Sequence, residues 1–121
     1  MTKRILVVED QEDNRQILRD LLKSVGYEMI EAEDGEQALI KVVEHKPDLI
    51  LMDIQLPLLD GYEATRRIKA NPELKHIPII VVTSYALSGD EEKARAAGCE
   101  AYVAKPYSPR ALLAKIREYL P

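Results

Sequence analysis

The chain has 121 residues, 17 Lys and Arg against 21 Asp and Glu, and a formal charge of −4, a length that fits one domain and leaves little room for a second. The acidic balance argues against a nucleic-acid-binding surface, which needs clustered Lys and Arg. No stretch approaches the roughly 18–20 apolar residues of a membrane span, and the short apolar run at residues 5–8 cannot serve as a signal-peptide core, so a soluble cytoplasmic protein is expected.

Apolar residues 5–8, aliphatic throughout, predict the first strand. Ile17, Leu18, Leu21, Leu22 and Val25 recur at helical spacing and predict a helix, stopped by Gly26. Residues 28–32 alternate and read as a strand nearer a sheet edge. Gly35 precedes a second helix, with Ala38, Leu39, Val42 and Val43 inward and an end before Pro47. Residues 49–52 and 79–82 are apolar on both faces, as central parallel strands covered by helices on both sides require. Between them, residues 61–70 predict a short third helix closed by Asn71-Pro72. A fourth helix is expected over residues 90–97, with Gly98 as its stop and Asp90, Glu91 and Glu92 favoured in its first turn by the helix dipole. A strand at residues 101–104 rests on its place in the pattern. Ser108 suits an N-cap and Pro109 a first turn, opening a last helix with Leu112, Leu113, Ile116 and Leu120 as its apolar face.

Five strand–helix pairs, (βα)5, with short connections and right-handed crossovers, predict an α/β fold: a doubly wound five-stranded parallel sheet. Ligands of such sheets bind outside the carboxyl ends of the strands. Glu9 and Asp10 follow the first strand there, Asp53 ends the third, Thr83 ends the fourth, and Lys105 lies just past the fifth. Each alone reads as a solvated loop or strand-end residue; together they form a chemical set. Three clustered carboxylates repel unless a cation lies among them, and a small open acid cluster suits Mg²⁺, which keeps several waters and accepts phosphate oxygens. Lys105 can pair with a phosphoryl group and Thr83 can donate a hydrogen bond to it. These are the parts of phosphoryl transfer, with the Asp53 carboxylate, on the central strand, as the nucleophile.

The runs Ile5-Leu6-Val7-Val8-Glu9-Asp10, Leu49-Ile50-Leu51-Met52-Asp53-Ile54-Gln55-Leu56-Pro57 with Asp60-Gly61, Ile79-Ile80-Val81-Val82-Thr83 and Tyr102-Val103-Ala104-Lys105-Pro106 stand in one order along the chain. In this the sequence resembles the receiver domain of bacterial two-component response regulators, over residues 3–120. The resemblance implies a flavodoxin-like strand order, 2-1-3-4-5, and makes Asp53 the phosphoacceptor. Mg²⁺ would be held by Asp10, Asp53 and the backbone carbonyl of Gln55, with Glu9 reaching it directly or through water. Thr83 would follow the phosphoryl group, Lys105 would bind one of its oxygens, Lys105–Pro106 would be a cis peptide, and Tyr102 would be the aromatic switch. The donor would be a phosphohistidine of a sensor histidine kinase or a histidine phosphotransfer protein. The output would be binding of a downstream protein at the surface from the fourth helix to the fifth, with the domain also promoting its own dephosphorylation. Glu9 stands where Asp is more frequent and Leu56 where Met is common; Gln55 and Tyr85 flank the pocket mouth.

A competing class is a phosphohydrolase working through an aspartyl phosphate, as in haloacid-dehalogenase-like phosphatases. Those carry a second Asp two residues beyond the nucleophile, where this chain has Gln55, and no cap domain is available here. No phosphate-binding glycine motif follows the first strand. A degenerate receiver acting only as a docking module conflicts with the complete acid, Thr and Lys set. No effector domain is expected within residues 3–120, and the chain reads equally as a stand-alone regulator or as part of a larger one. Cys99 is expected to be a small buried hydrophobe, and His45 and His76 form no metal-ligand spacing.

Overall fold

A computed structural model describes residues 2–83 and 90–120. Its elements alternate along the chain as β1 Arg4–Val8, α1 Glu12–Ser24, β2 Glu28–Ala32, α2 Gly35–His45, β3 Leu49–Asp53, α3 Gly61–Ala70, β4 Ile79–Thr83, α4 Asp90–Ala96, β5 Ala101–Ala104 and α5 Pro109–Tyr119. The five strands form one sheet in the order β2-β1-β3-β4-β5, every neighbouring pair parallel. Both expectations of the sequence, the doubly wound architecture and the 2-1-3-4-5 order, hold.

Side-chain alternation divides the core into two layers. Leu6, Val8, Ile50, Met52, Ile79 and Val81 face α2, α3 and α4, where Ala38, Val42, Ala64, Ile68 and Ala94 meet them. Ile5, Val7, Leu49, Leu51, Ile80 and Val82 face α1 and α5, meeting Leu18, Leu22, Leu112 and Ile116. The central strands β1, β3 and β4 are therefore apolar at consecutive positions, because each side of the sheet has its own helical cover.

Local signals end the helices as the sequence suggests. Gly26 and Gly98 take positive φ, at 86° and 106°, a conformation open to glycine at no steric cost. Ser108 caps α5 by accepting from the Ala111 N–H at 3.0 Å. Such a cap stabilises a helix by about 1 kcal/mol relative to alanine. Asp34 and Asp60 cap α2 and α3 in the same way.

Two expectations are corrected. Val43 is not inward: it is 57% exposed, as Ile17 on α1 is at 59%. On α1 the inward arc is set by Arg15, Leu18 and Leu22, and on α2 by Gly35, Ala38 and Val42; Ile17 and Val43 each lie one residue, about 100°, off those arcs. Gly35 is the first residue of α2 rather than its predecessor. A Cβ at this position would collide with the Leu59 carbonyl, so the close approach of two backbones demands glycine there.

Candidate functional site

The polar residues of β1, β3 and β5 meet above the carboxyl edge of the sheet. Glu9 and Asp53 continue the alternation of Val7 and Leu51, and Lys105 that of Val103, so all three belong to the α1 and α5 side. The Lys105 ammonium donates to Glu9 Oε1 at 2.9 Å and lies 3.7 Å from Asp53 Oδ2. Glu9, Asp10 and Asp53 each offer a carboxylate oxygen, and these oxygens lie within 4.8 Å of one another. Glu9 and Asp53 are buried, at 3% and 8% exposure, while Asp10 sits exposed at the rim.

The backbone holds the acids in place. Glu9 is pinned by its N–H to the Ala32 carbonyl at 3.0 Å and by its C=O, which accepts from Arg15 Nη1 at 2.7 Å. Its side chain accepts from the Gln11 N–H at 3.2 Å. Asp53 Oδ1 accepts from the Gln55 N–H at 3.3 Å. Beyond Asp53 the chain folds back so that the Gly61 N–H reaches the Ile54 carbonyl at 2.9 Å. A Cβ on Gly61 would strike the Asp53 carbonyl, so the start of α3 presses directly on the backbone that carries Asp53. Lys105 is anchored by its own N–H, which donates to the Thr83 carbonyl at 2.6 Å, and the peptide to Pro106 is cis.

One lysine among three acids leaves an excess of negative charge, and the carboxyls respond unequally. Asp53 is raised to about 6, chiefly by burial and further by Glu9, against the pull of Lys105. Burial also pushes Glu9 up, yet the hydrogen bond and charge of Lys105 outweigh it and hold Glu9 below its ordinary value. Asp10 is raised by partial desolvation and by Glu9 beside it. Burial lowers Lys105, but Glu9 and Asp53 reverse this and keep the ammonium charged. An acid cluster with hard oxygen donors, an uncompensated charge and an exposed rim fits Mg²⁺.

Thr83 and Tyr102 belong to the neighbouring strands β4 and β5. Thr83 is buried at 1% exposure, and alternation places it with Val81, on the sheet face where half-buried Tyr102 packs. In the register of β4 and β5, Val81 lies beside Tyr102 and Thr83 beside Ala104. Gln55 is exposed beside the mouth, and Tyr85 lies outside the described residues. Cys99 is buried, with its thiol raised by that burial.

Two neighbours and a groove escaped the sequence reading. Arg15 is 6% exposed, and Tyr107 is half-buried next to Lys105, which draws its hydroxyl pKa down against the stronger upward push of burial. Ile17, Leu18, Asn14, Tyr107, Pro106 and Pro109 line a groove of about 450 Å³ that opens onto Glu9 and Lys105. Two signals were available: an arginine inside an otherwise apolar arc of α1, and an isoleucine just off that arc.

The chain matches the model of the response regulator receiver domain over residues 5–117. It belongs to that family. The polar-differentiation response regulator DivK of Brucella ovis is 50% identical over 120 residues, covering 99% of this chain and 98% of that protein; DivK of Brucella anthropi is 49% identical over the same length. Among solved structures, the receiver domain of the sensor histidine kinase PA1611 from Pseudomonas aeruginosa superposes with a TM-score of 0.92 at 38% identity, covering 99% of this chain and 98% of that one, and carries a magnesium ion in its active site cleft. The chemotaxis protein CheY4 of Vibrio cholerae superposes with a TM-score of 0.92 at 27% identity, covering 98% and 99%. As a response regulator receiver, this chain works in two-component phosphorelay signalling as a switch. No described helix is long and apolar enough to cross a membrane.

Proposed function

We propose that residues 3–120 form one receiver unit in which Asp53 accepts a phosphoryl group from a phosphohistidine of a sensor histidine kinase or histidine phosphotransfer protein. The observation that carries this is the convergence on Asp53 of Lys105 at 3.7 Å and the carboxylates of Glu9 and Asp10. An Asp53 carboxylate oxygen attacks phosphorus, the P–N bond breaks, and its electron pair stays on the imidazole. Asp10, Asp53 and the Gln55 carbonyl, assisted by Glu9, would hold Mg²⁺, which would supply positive charge to the phosphoryl oxygens. Lys105 leaves Glu9 for the new phosphoryl group, a charge-assisted contact.

Phosphorylation adds about two negative charges at neutral pH. Thr83 responds from the end of β4, and its carbonyl already accepts from the Lys105 N–H. Tyr102 shares its sheet face, so a shift of Thr83 changes the packing available to the ring. The surface from α4 through β5 to α5 then alters its affinity for a downstream protein. The domain acts on no substrate beyond its own phosphotransfer and dephosphorylation, and it operates in the cytoplasm.

Incubation with acetyl phosphate and Mg²⁺ tests the acceptor. Intact-mass measurement should show one added phosphoryl group on the wild type and none on Asp53→Asn. Equal modification of the variant would remove Asp53 from this role.

A further inference from the structure

Arg15 is the buried cation of α1, and its guanidinium is fully engaged. Nη1 donates to the Glu9 carbonyl at 2.7 Å, Nε to Glu31 Oε1 at 3.2 Å, and Nη2 to Glu12 Oε2 at 2.6 Å, with Glu33 at 3.5 Å. The bond to Glu9 is wholly buried. Arg19 shares Glu31 and Glu12 at the protein surface; none of its bonds goes to Glu9.

These contacts have one geometric consequence. The Glu9 carbonyl belongs to the peptide that joins Glu9 to Asp10. The Glu9 N–H, in the preceding peptide, is bound to Ala32, and Arg15 holds the carbonyl of the peptide between the two acids, so the backbone is fixed on both sides of Glu9. The clamp is rigid because a planar guanidinium fork has little freedom once its other arms are held by carboxylates on β2 and α1. A lysine could supply the charge but not the fork.

We infer that Arg15 is a positioning residue for the metal-binding turn: it orients the Glu9–Asp10 peptide, and through it the two carboxylates, by tying that peptide to Glu31 and Glu12. This rests on the Mg²⁺ reading proposed above. It makes a prediction opposite in sign to simple electrostatics. A cation this near the cluster repels Mg²⁺, so loss of its charge alone would tighten binding. Loss of a group that orients metal ligands instead weakens binding, typically by a factor of ten or more.

The test is Mg²⁺ titration of the full chain by calorimetry, with the metal alone and no phosphodonor. Arg15→Met and Arg15→Lys should each bind about tenfold more weakly than wild type. Arg19→Met, which removes a cation from the same acids without touching Glu9, should bind as well as wild type or better. Far-UV circular dichroism checks the fold of each variant, and Arg15→Lys carries the test if Arg15→Met does not fold. Wild-type or tighter affinity in a folded Arg15 variant overturns the inference. So does loss of fold in both, which would assign Arg15 to stability. A wild type that binds no Mg²⁺ overturns the metal reading itself, and that is seen before any variant is compared.

Discussion

The Lys105 ammonium bonds Glu9 at 2.9 Å and stands off Asp53 at 3.7 Å. Asp53, the residue at the centre of the chemistry, is thus not the one that Lys105 neutralises most closely. Glu9 takes the lysine and is held ionised, while Asp53 keeps a raised pKa. Ionising Asp53 in the resting site therefore works against burial and Glu9.

Replacing Lys105 by Met should separate metal binding from response. The variant loses the one described cation within reach of Asp53, so Mg²⁺ should bind as tightly as in wild type or several-fold tighter, measured by calorimetry. Phosphorylation with acetyl phosphate should then fail to alter binding of a downstream protein. An unchanged partner response would take Lys105 out of the switch.

Measured against Asp53→Asn, the metal-free protein should lose stability as pH rises through the window set by Asp53. Its carboxyl has an ordinary value of 3.8 and stands near 6 in the fold. Between these values the folded chain keeps a proton that the unfolded chain has released, so the slope of unfolding free energy against pH is negative. The stabilising contribution is complete below about pH 4 and gone above about pH 6. Asp53→Asn, which carries no charge, should be more stable than wild type at pH 7 by about 2–3 kcal/mol. Urea denaturation in EDTA at pH 4 and pH 7 measures both effects.

Gly61→Ala should damage the fold and the site together. Its Cβ would drive into the Asp53 carbonyl and the Ile54 backbone, and neither can yield without moving β3. A loss of about 2–3 kcal/mol is expected, in the upper range for overpacking, together with weaker Mg²⁺ binding. Denaturant unfolding and metal titration report the two effects separately.

Thr65→Val should be stabilising. Thr65 on α3 is fully buried, and its hydroxyl oxygen finds no hydrogen-bond partner among the described residues. Valine keeps the shape and removes an unsatisfied polar group, so a gain of about 1 kcal/mol is expected by urea denaturation. A loss of stability would mean that this hydroxyl has a partner in solution.

Several features of the protein were determined locally and were legible in the sequence. Residues 49–52 and 79–82 read as central strands because a strand covered on both faces must be apolar at every position. Ser108-Pro109 and Gly98 marked helix ends through backbone chemistry that involves only neighbouring residues. The acids and the lysine stood out because each sits where a parallel sheet delivers its strand ends to solvent. Other features were decided only by the tertiary structure. Periodicity put Val43 on the inner face of α2, but the arc a helix buries is fixed by how it lies on the sheet; on α1, likewise, Ile17 ends at a groove while Arg15 goes inside. Lys105 chooses Glu9 over Asp53 across 96 positions of sequence, a choice set by a difference of less than an ångström between the two contacts. Residue type and spacing determined which groups would meet; packing decided which of them touch, because hydrogen bonds and charge pairs are resolved at a scale finer than any periodicity.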